Sequence, residues 1–302
     1  MPGKTSKGRP ERYRRRRKIR AIRLIAVLFA LVGVGMLLYP HVSNYYYSVR
    51  FESDIAEYDQ FSGVDTDALW ATAEEYNRSL AETGSRFNTT QEEKDAAAAY
   101  LNPLGNGMMG YIEIPDIDVR IPIYQGTEEA ALQAGAGWWI GTSLPVGGES
   151  THSVITAHTG LVKAKMFTDL DQLEIGDTFT LTILDRQLTY EVDQILVVLP
   201  DELEPLEIVE GEDYVTLYTC TPYGINTHRL LVRGHRVGND EAYQLADDND
   251  RETMHNALSS GLGLLVWSMV MLELERIADI VIPIVLLIAA ILLIRYSRSG
   301  KK

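Results

Sequence analysis

Thr178-Phe179-Thr180-Leu181-Thr182-Ile183 alternates polar and apolar residues without a break, and Gln187 to Val198, rich in Tyr, Val, Ile and Leu, follows across Asp185-Arg186. A period of two over six residues is the signature of a strand with one buried face. Two such runs joined by a short polar connection read as a hairpin. Working outward, Tyr111 to Ile114, Val119 to Tyr124, His152 to His158, Tyr214 to Thr219 and Arg229 to Arg236 have the same short, β-branched and aromatic character. Seven or eight short strands with frequent turn residues make the fold class mainly β and predict a closed barrel or a sandwich between about residues 105 and 238.

Before the strands the punctuation is helical. Asp65 or Thr66 can cap a helix running to about Leu80, with Leu69, Tyr76 and Leu80 on one side, and Gln91 to Tyr100 is an alanine-rich second helix. A polar loop, Glu82 to Thr90, separates them. Residues 1–20 are basic, without apolar periodicity, and are expected to be disordered.

The 302-residue chain has a net charge of -14, and this figure conceals an asymmetry. Of its 28 Lys and Arg, eleven lie in residues 1–23 and four in 295–302, so 13 remain between 24 and 294 against 41 of the 42 acids. So acidic a middle repels nucleic acid. The basic ends adjoin apolar runs, Leu24 to Tyr39 and Ile280 to Ile294, the latter extendable back to Ile277. At 1.5 Å per residue these cover about 22–27 Å, slightly short of a ~30 Å hydrocarbon core, and both read as membrane spans. No small-x-small cleavage site follows the first run, which predicts an uncleaved anchor. Arginines on the outer flank of both runs predict cytoplasmic termini and an external middle. Leu262 to Leu272 is too short to span and reads as an interfacial or core helix, preceded by an acidic linker from residue 239.

Cys220 is the single cysteine, on the external side of this topology, so it cannot form an internal disulfide. It ends the strand Tyr214 to Thr219 and opens into Thr221-Pro222-Tyr223-Gly224, a place where nucleophiles are presented. A thiol of ordinary acidity needs a neighbouring imidazole or cation to become a thiolate at neutral pH. His41 and His255 lie near the anchors, leaving His152, His158, His228 and His235. For a developing oxyanion, Arg229, Arg233 and Arg236 follow the cysteine, and parity puts Arg229 and Arg233 on one face. Period and spacing choose neither the histidine nor the arginine.

Thr216-Leu217-Tyr218-Thr219-Cys220 resembles the TLxTC signature of sortases, and the block from Thr221 to Gly234 resembles the longer version found in class C, the pilin-polymerising sortases. Gly141 to Gly148 and Thr151 to Leu161 are similar to the family's histidine block. The resemblance covers about residues 105–238 and implies a sortase-type closed β-barrel. It assigns His158 as catalytic histidine, Cys220 as nucleophile and Arg229 as catalytic arginine, with His152, His228, His235 and Arg233 structural. It also implies an enzyme needing no cofactor or metal. That enzyme would cleave an LPxTG-type sorting signal between Thr and Gly and pass the acyl group to an amine, such as a pilin lysine. Attachment of surface proteins to cell-wall peptide, and a non-enzymatic scaffold with an inert thiol, are the alternatives.

The resulting organisation is a basic cytoplasmic tail (1–20), an anchor (21–40), a helical pre-barrel segment (41–104), a catalytic barrel (105–238), an acidic linker with an apolar juxtamembrane helix (239–276), a second anchor (277–295) and a basic tail (296–302). One departure from class C is evident. No Asp-Pro-aromatic lid stands before the barrel, and Phe87 in Ser85-Arg86-Phe87-Asn88 is the nearest aromatic. The seven acids between Pro200 and Asp213 read as a solvated face rather than a calcium loop.

Overall fold

The computed structural model of the chain describes residues 9–161 and 163–238. The acidic linker, the juxtamembrane helix, the second anchor and the C-terminal tail expected beyond residue 238 lie outside the described residues, as do the first eight residues.

Helix α1 runs from Arg9 to Tyr58 without interruption. One expectation is corrected here. The segment 9–20 is helical rather than disordered, and the helix continues past the apolar run with Pro40 inside it. The run from Ile25 to Tyr39 is apolar and turned outward, with Phe29 72% exposed. By length and composition this helix can cross a membrane. Farther along, the helix changes character. Tyr47, Phe51, Ile55 and Tyr58 recur at helical spacing, and the last three are buried against the barrel. Each such burial contributes about 1.5–3 kcal/mol. The Tyr58 hydroxyl adds a strut, donating to the Met109 carbonyl and accepting from the Leu184 N–H at 2.8 Å.

Helix α2 (Thr66–Thr83) starts as expected, with Asp65 capping the Ala68 N–H at 3.0 Å. Its inward face is Trp70, Ala73, Asn77 and Leu80. Asn77 makes two hydrogen bonds with the Leu144 backbone and so fixes the helix to the barrel. Helix α3 (Gln91–Ala97) begins with a Thr90/Glu93 capping box. It stops three residues short of the expected Tyr100, because the chain turns at Ala98–Leu101, where Leu101 takes a positive φ.

Eight strands close into a barrel: β1 (Met108–Ile114), β2 (Val119–Gln125), β3 (Ala136–Trp138), β4 (Thr151–Thr156), β5 (Thr178–Ile183), β6 (Arg186–Val198), β7 (Asp213–Thr221) and β8 (His228–Arg236). Their order around the barrel is β1-β2-β3-β4-β7-β8-β6-β5. Helix α4 (Glu129–Ala134) lies between β2 and β3. The β5–β6 hairpin is present, but its turn is Leu184-Asp185, one residue earlier than expected, because Ile183 pairs with Arg186 as the last rung. Strand β4 ends at Thr156, so His158 lies beyond the strand.

One pairing decides the site. β4 and β7 are parallel, with Thr151↔Asp213 through Thr156↔Tyr218 in register. Parallel neighbours require a long crossover, here the passage from 157 to 212 that contains β5 and β6. Their C-terminal ends therefore emerge side by side.

Candidate active site

Along β4, β7 and β8 one set of alternate residues, including Ile155, Leu217 and Val232, points into the main core. The other set, Val154, Tyr218 and Leu231, forms a separate apolar cluster on the opposite face, with Leu206 buried in it and Trp139 and Phe87 packed against it. His152, Thr216, Cys220, Arg229 and Arg233 share the parity of this second face, and His158 follows two residues past the end of β4. The candidate polar groups thus stand on the outer surface of three adjacent strands.

At the C-terminal end of β4 and β7 the register continues past the last paired residues. The Ala157 N–H donates to the Tyr218 carbonyl at 3.2 Å, and the Thr219 hydroxyl donates to the Ala157 carbonyl at 2.8 Å. The next residue on each chain is His158 and Cys220. On the other side of β7, Cys220 is directly opposite Arg229 in the antiparallel ladder with β8. The structure thus brings the three sequence-predicted site residues to one end of three neighbouring strands.

Their surroundings suit chemistry rather than packing. Cys220 is half-buried and free. The Nε2 of His158 is shielded from solvent and has no hydrogen-bond partner, its nearest carboxylate being Glu129 of α4 at 4.0 Å. An imidazole nitrogen in that condition remains available to a substrate. Arg229 donates through Nη1 to the carbonyls of Asn226 (3.1 Å) and His228 (2.9 Å), so its own loop orients the guanidinium. It also stands beside Tyr218: burial pushes that phenol's pKa up, and the adjacent Arg229 charge pulls it part of the way back.

The other candidates are elsewhere. His152 is fully buried, with Nδ1 2.9 Å from the Glu207 carbonyl and Nε2 2.7 Å from the Thr216 hydroxyl. Burial pushes its pKa down to about 4, so it is neutral at physiological pH. Arg233 makes two hydrogen bonds to Asp193, at 3.0 and 2.8 Å, and lies over the Tyr214 ring. His228 contacts Thr227 in the β7–β8 loop, and His235 pairs with Tyr214 at the opposite end of the strand. Arg236 lies over the Tyr190 ring.

Three neighbours escape sequence reasoning. Glu129 lies far upstream of His158 and has no local signal. Tyr218 and Trp139 pack edge to face at 5.3 Å, and Phe87 packs on Trp139 at 5.8 Å. Only the parity of Tyr218 with Cys220 was available to place any of them. The polar pre-barrel loop is thereby docked rather than free, with the Arg86 N–H donating to the Gly141 carbonyl at 2.8 Å. Gly141 is required at that contact, since a Cβ there would sit 1.9 Å from the Arg86 carbonyl oxygen. A cavity of about 750 Å³ between α2, α3 and Trp138–Gly141 lies behind this loop, and Cys220 does not line it.

The acidic run between Pro200 and Asp213 is not a single solvated face. Asp213 is turned inward and accepts from the Gly148 N–H at 2.9 Å and the Tyr190 hydroxyl at 3.1 Å.

Known proteins similar to this chain in sequence and fold are sortases. The sortase domain family matches residues 112–237. Sortase A of Streptococcus agalactiae is 30% identical over 232 residues, covering 75% of this chain and 88% of that protein. The crystal structure of sortase C1 from Streptococcus agalactiae superposes with a TM-score of 0.59 at 45% identity, covering 63% of this chain and 98% of the other. Sortase C of Clostridium perfringens, solved with a C-terminal cell wall sorting motif, gives a TM-score of 0.54 at 47% identity and covers 62% and 98%. By this family match and these relatives the chain belongs to the sortase family as a class C sortase, a transpeptidase that anchors or polymerises surface proteins.

Proposed function

We propose that this sortase builds covalent pili, cleaving an LPxTG-type sorting signal between Thr and Gly and joining the new acyl end to a lysine of the next pilin subunit. The reading is supported above all by the alignment of His158, Cys220 and Arg229 at adjoining positions on β4, β7 and β8. Cys220, as thiolate, attacks the threonine carbonyl carbon. Arg229 lies opposite and offers donors to the oxygen as it takes up charge. When the C–N bond breaks, His158 delivers its proton to the departing glycine amine and a thioester remains. An acceptor amine then attacks the thioester, passes a proton back to His158 and expels the Cys220 thiolate. The enzyme is regenerated and an amide bond is made.

Helix α1 acts as the membrane anchor, with the barrel on the external side and the N-terminus in the cytoplasm. The apolar run at 277–295 is the second anchor. Both readings rest on the apolar runs and their flanking arginines.

The test is the full-length chain in lipid nanodiscs, mixed with a pilin that carries both an acceptor lysine and a sorting signal. Reductant-resistant ladders of pilin multiples are expected. If sorting-signal cleavage proceeds without ladders and the acyl product appears only on added wall peptide, the enzyme attaches proteins to the wall instead.

A further inference from the structure

The segment that follows His158 reaches the anchor helix. The Ser43 hydroxyl donates to the Lys163 carbonyl at 3.1 Å, the Lys165 N–H donates to the Asn44 side chain at 2.8 Å, and the Lys163 ammonium lies 5.1 Å from the centre of the Tyr47 ring. The base of the same loop is closed at the active site. The Phe167 N–H donates to the His158 carbonyl at 3.1 Å, and the Gly160 N–H donates to the Thr168 hydroxyl at 3.1 Å. Only Met166 separates Lys165 from Phe167, so the His158 backbone lies within about 10 Å of the contact with α1.

The level of that contact follows from helix geometry. A ~30 Å hydrocarbon core takes about 20 helical residues at 1.5 Å each. Counted from Arg23, the last basic residue before the apolar run, the core ends near Ser43. Tyr39, Tyr45 and Tyr46, 58%, 47% and 63% exposed, lie on one side of the helix near this height, as aromatic residues do at a membrane interface. Farther on, the helix buries Phe51, Ile55 and Tyr58 against the barrel and offers no apolar ring to lipid. The grip on the His158 loop therefore falls at the boundary between the two halves.

We infer that the segment 163–166 rests on the headgroup layer of the bilayer that α1 crosses, with Lys163, Tyr45 and Tyr46 as its contact surface. The active site then stands at the membrane surface. The inference deepens the proposed function and rests on reading α1 as an anchor.

Nitroxide labels on the full-length chain in nanodiscs test both layers separately. In a Cys220→Ala background, single cysteines are introduced by Leu31→Cys, Lys163→Cys and Asp201→Cys, and access to oxygen and to a water-soluble nickel chelate is measured. The expected order is Leu31→Cys deep in lipid, Lys163→Cys at headgroup depth and Asp201→Cys fully aqueous. An aqueous Leu31→Cys label overturns the anchor and the inference with it. A deep Leu31→Cys label beside a Lys163→Cys label as aqueous as that of Asp201→Cys overturns the inference alone. Should Lys163→Cys fold poorly, the wild-type chain labelled at Cys220 serves. A nickel-chelating lipid headgroup is expected to broaden its spectrum more than that of the Asp201→Cys label, and equal broadening overturns the inference.

Discussion

Strands β4, β7 and β8 carry two similar polar sets on one face. At one end stand His152, Thr216 and Arg233; at the other stand His158, Cys220 and Arg229. Each set has a ring nitrogen, a hydroxyl or thiol, and a guanidinium, yet their conditions are opposite. In the first set the histidine is fully buried with both nitrogens bonded, and the arginine is held by Asp193. In the second, His158 Nε2 has no partner among the described residues, the thiol is half-buried and free, and the arginine is held by carbonyls of its own loop and by the Tyr218 hydroxyl, with no carboxylate paired to it among the described residues. A satisfied polar set stabilises a fold, whereas an unfinished one leaves its hydrogen-bonding capacity to a substrate. Residue type alone does not separate structure from chemistry here. The separation comes from which groups already have partners.

The comparison breaks most sharply at the histidines. Cys220→Ala is expected to abolish the acyl-enzyme, and His158→Ala to slow its formation by about 10²–10⁴, with little change in folding stability. His152→Gln is expected to do the reverse, leaving thioester formation near normal well below the melting temperature while costing about 1–3 kcal/mol, because a partner in a buried network is lost. Thioester trapping with a sorting-signal peptide and urea denaturation on the same preparations check both. A His152→Gln enzyme crippled in thioester formation, with stability intact, would dissolve the distinction.

The arginines sharpen it at smaller amplitude. If Arg229 steadies developing negative charge, Arg229→Lys loses the planar fork, and a drop of about a hundredfold or more in acyl transfer is expected. Arg233→Lys forfeits the paired contact with Asp193 and is expected to cost stability, with acyl transfer reduced less than about threefold. Equal losses of rate at the two positions would leave the oxyanion role unassigned.

The closed set also has a pH signature. His152 in the fold holds a proton only below about pH 4, because burial disfavours the imidazolium, whereas in the unfolded chain it does so below about 6.5. Between these values the unfolded state binds the extra proton, so stability present above pH 6.5 is lost as the pH falls toward 4, by about 3 kcal/mol in all. Asp213, its pKa raised by burial, acts in the opposite sense and favours the fold as pH falls. Comparing wild type with His152→Gln by urea denaturation across pH 4.5–7 cancels that common contribution. The variant is expected to lose less stability on acidification, and parallel curves would mean that His152 is not the titrating group.

Much of this was legible locally. The β5–β6 hairpin follows from the alternation at Thr178–Ile183, with its turn misplaced by one residue because Leu184 adopts a positive φ that no Gly or Asn announced. Strand β3 has three residues, too few for a period to register. The grip of α1 on the barrel at Phe51, Ile55 and Tyr58 is a contact between distant segments, which no local pattern announces. The site shows the same limit. Parity puts Arg229 and Arg233 together, and likewise His152 and His158, so local pattern could not choose within either pair. What distinguishes them is the parallel β4–β7 register across a crossover from 157 to 212 for the histidines and the β7–β8 ladder for the arginines, and a family resemblance supplied that choice where periodicity did not.

The smallest expected effect concerns Glu129, the carboxylate nearest His158 among the described residues. Glu129 Oε2 is 4.0 Å from His158 Nε2, beyond hydrogen-bonding distance, and its side chain is 72% exposed. Next to it Glu128 is anchored by Lys94 at 2.8 Å, which fixes the start of α4 without requiring Glu129. An exposed pair at this separation contributes about 0–1 kcal/mol and is screened by salt. Glu129→Gln is therefore expected to slow thioester formation by less than about threefold at low ionic strength, and by still less at 0.5 M salt, with folding stability unchanged. A loss approaching that of His158→Ala would place Glu129 in working contact with the imidazole during the reaction. The open set would then have four members, and its difference from the closed set at the other end of the strands would be smaller than the resting geometry indicates.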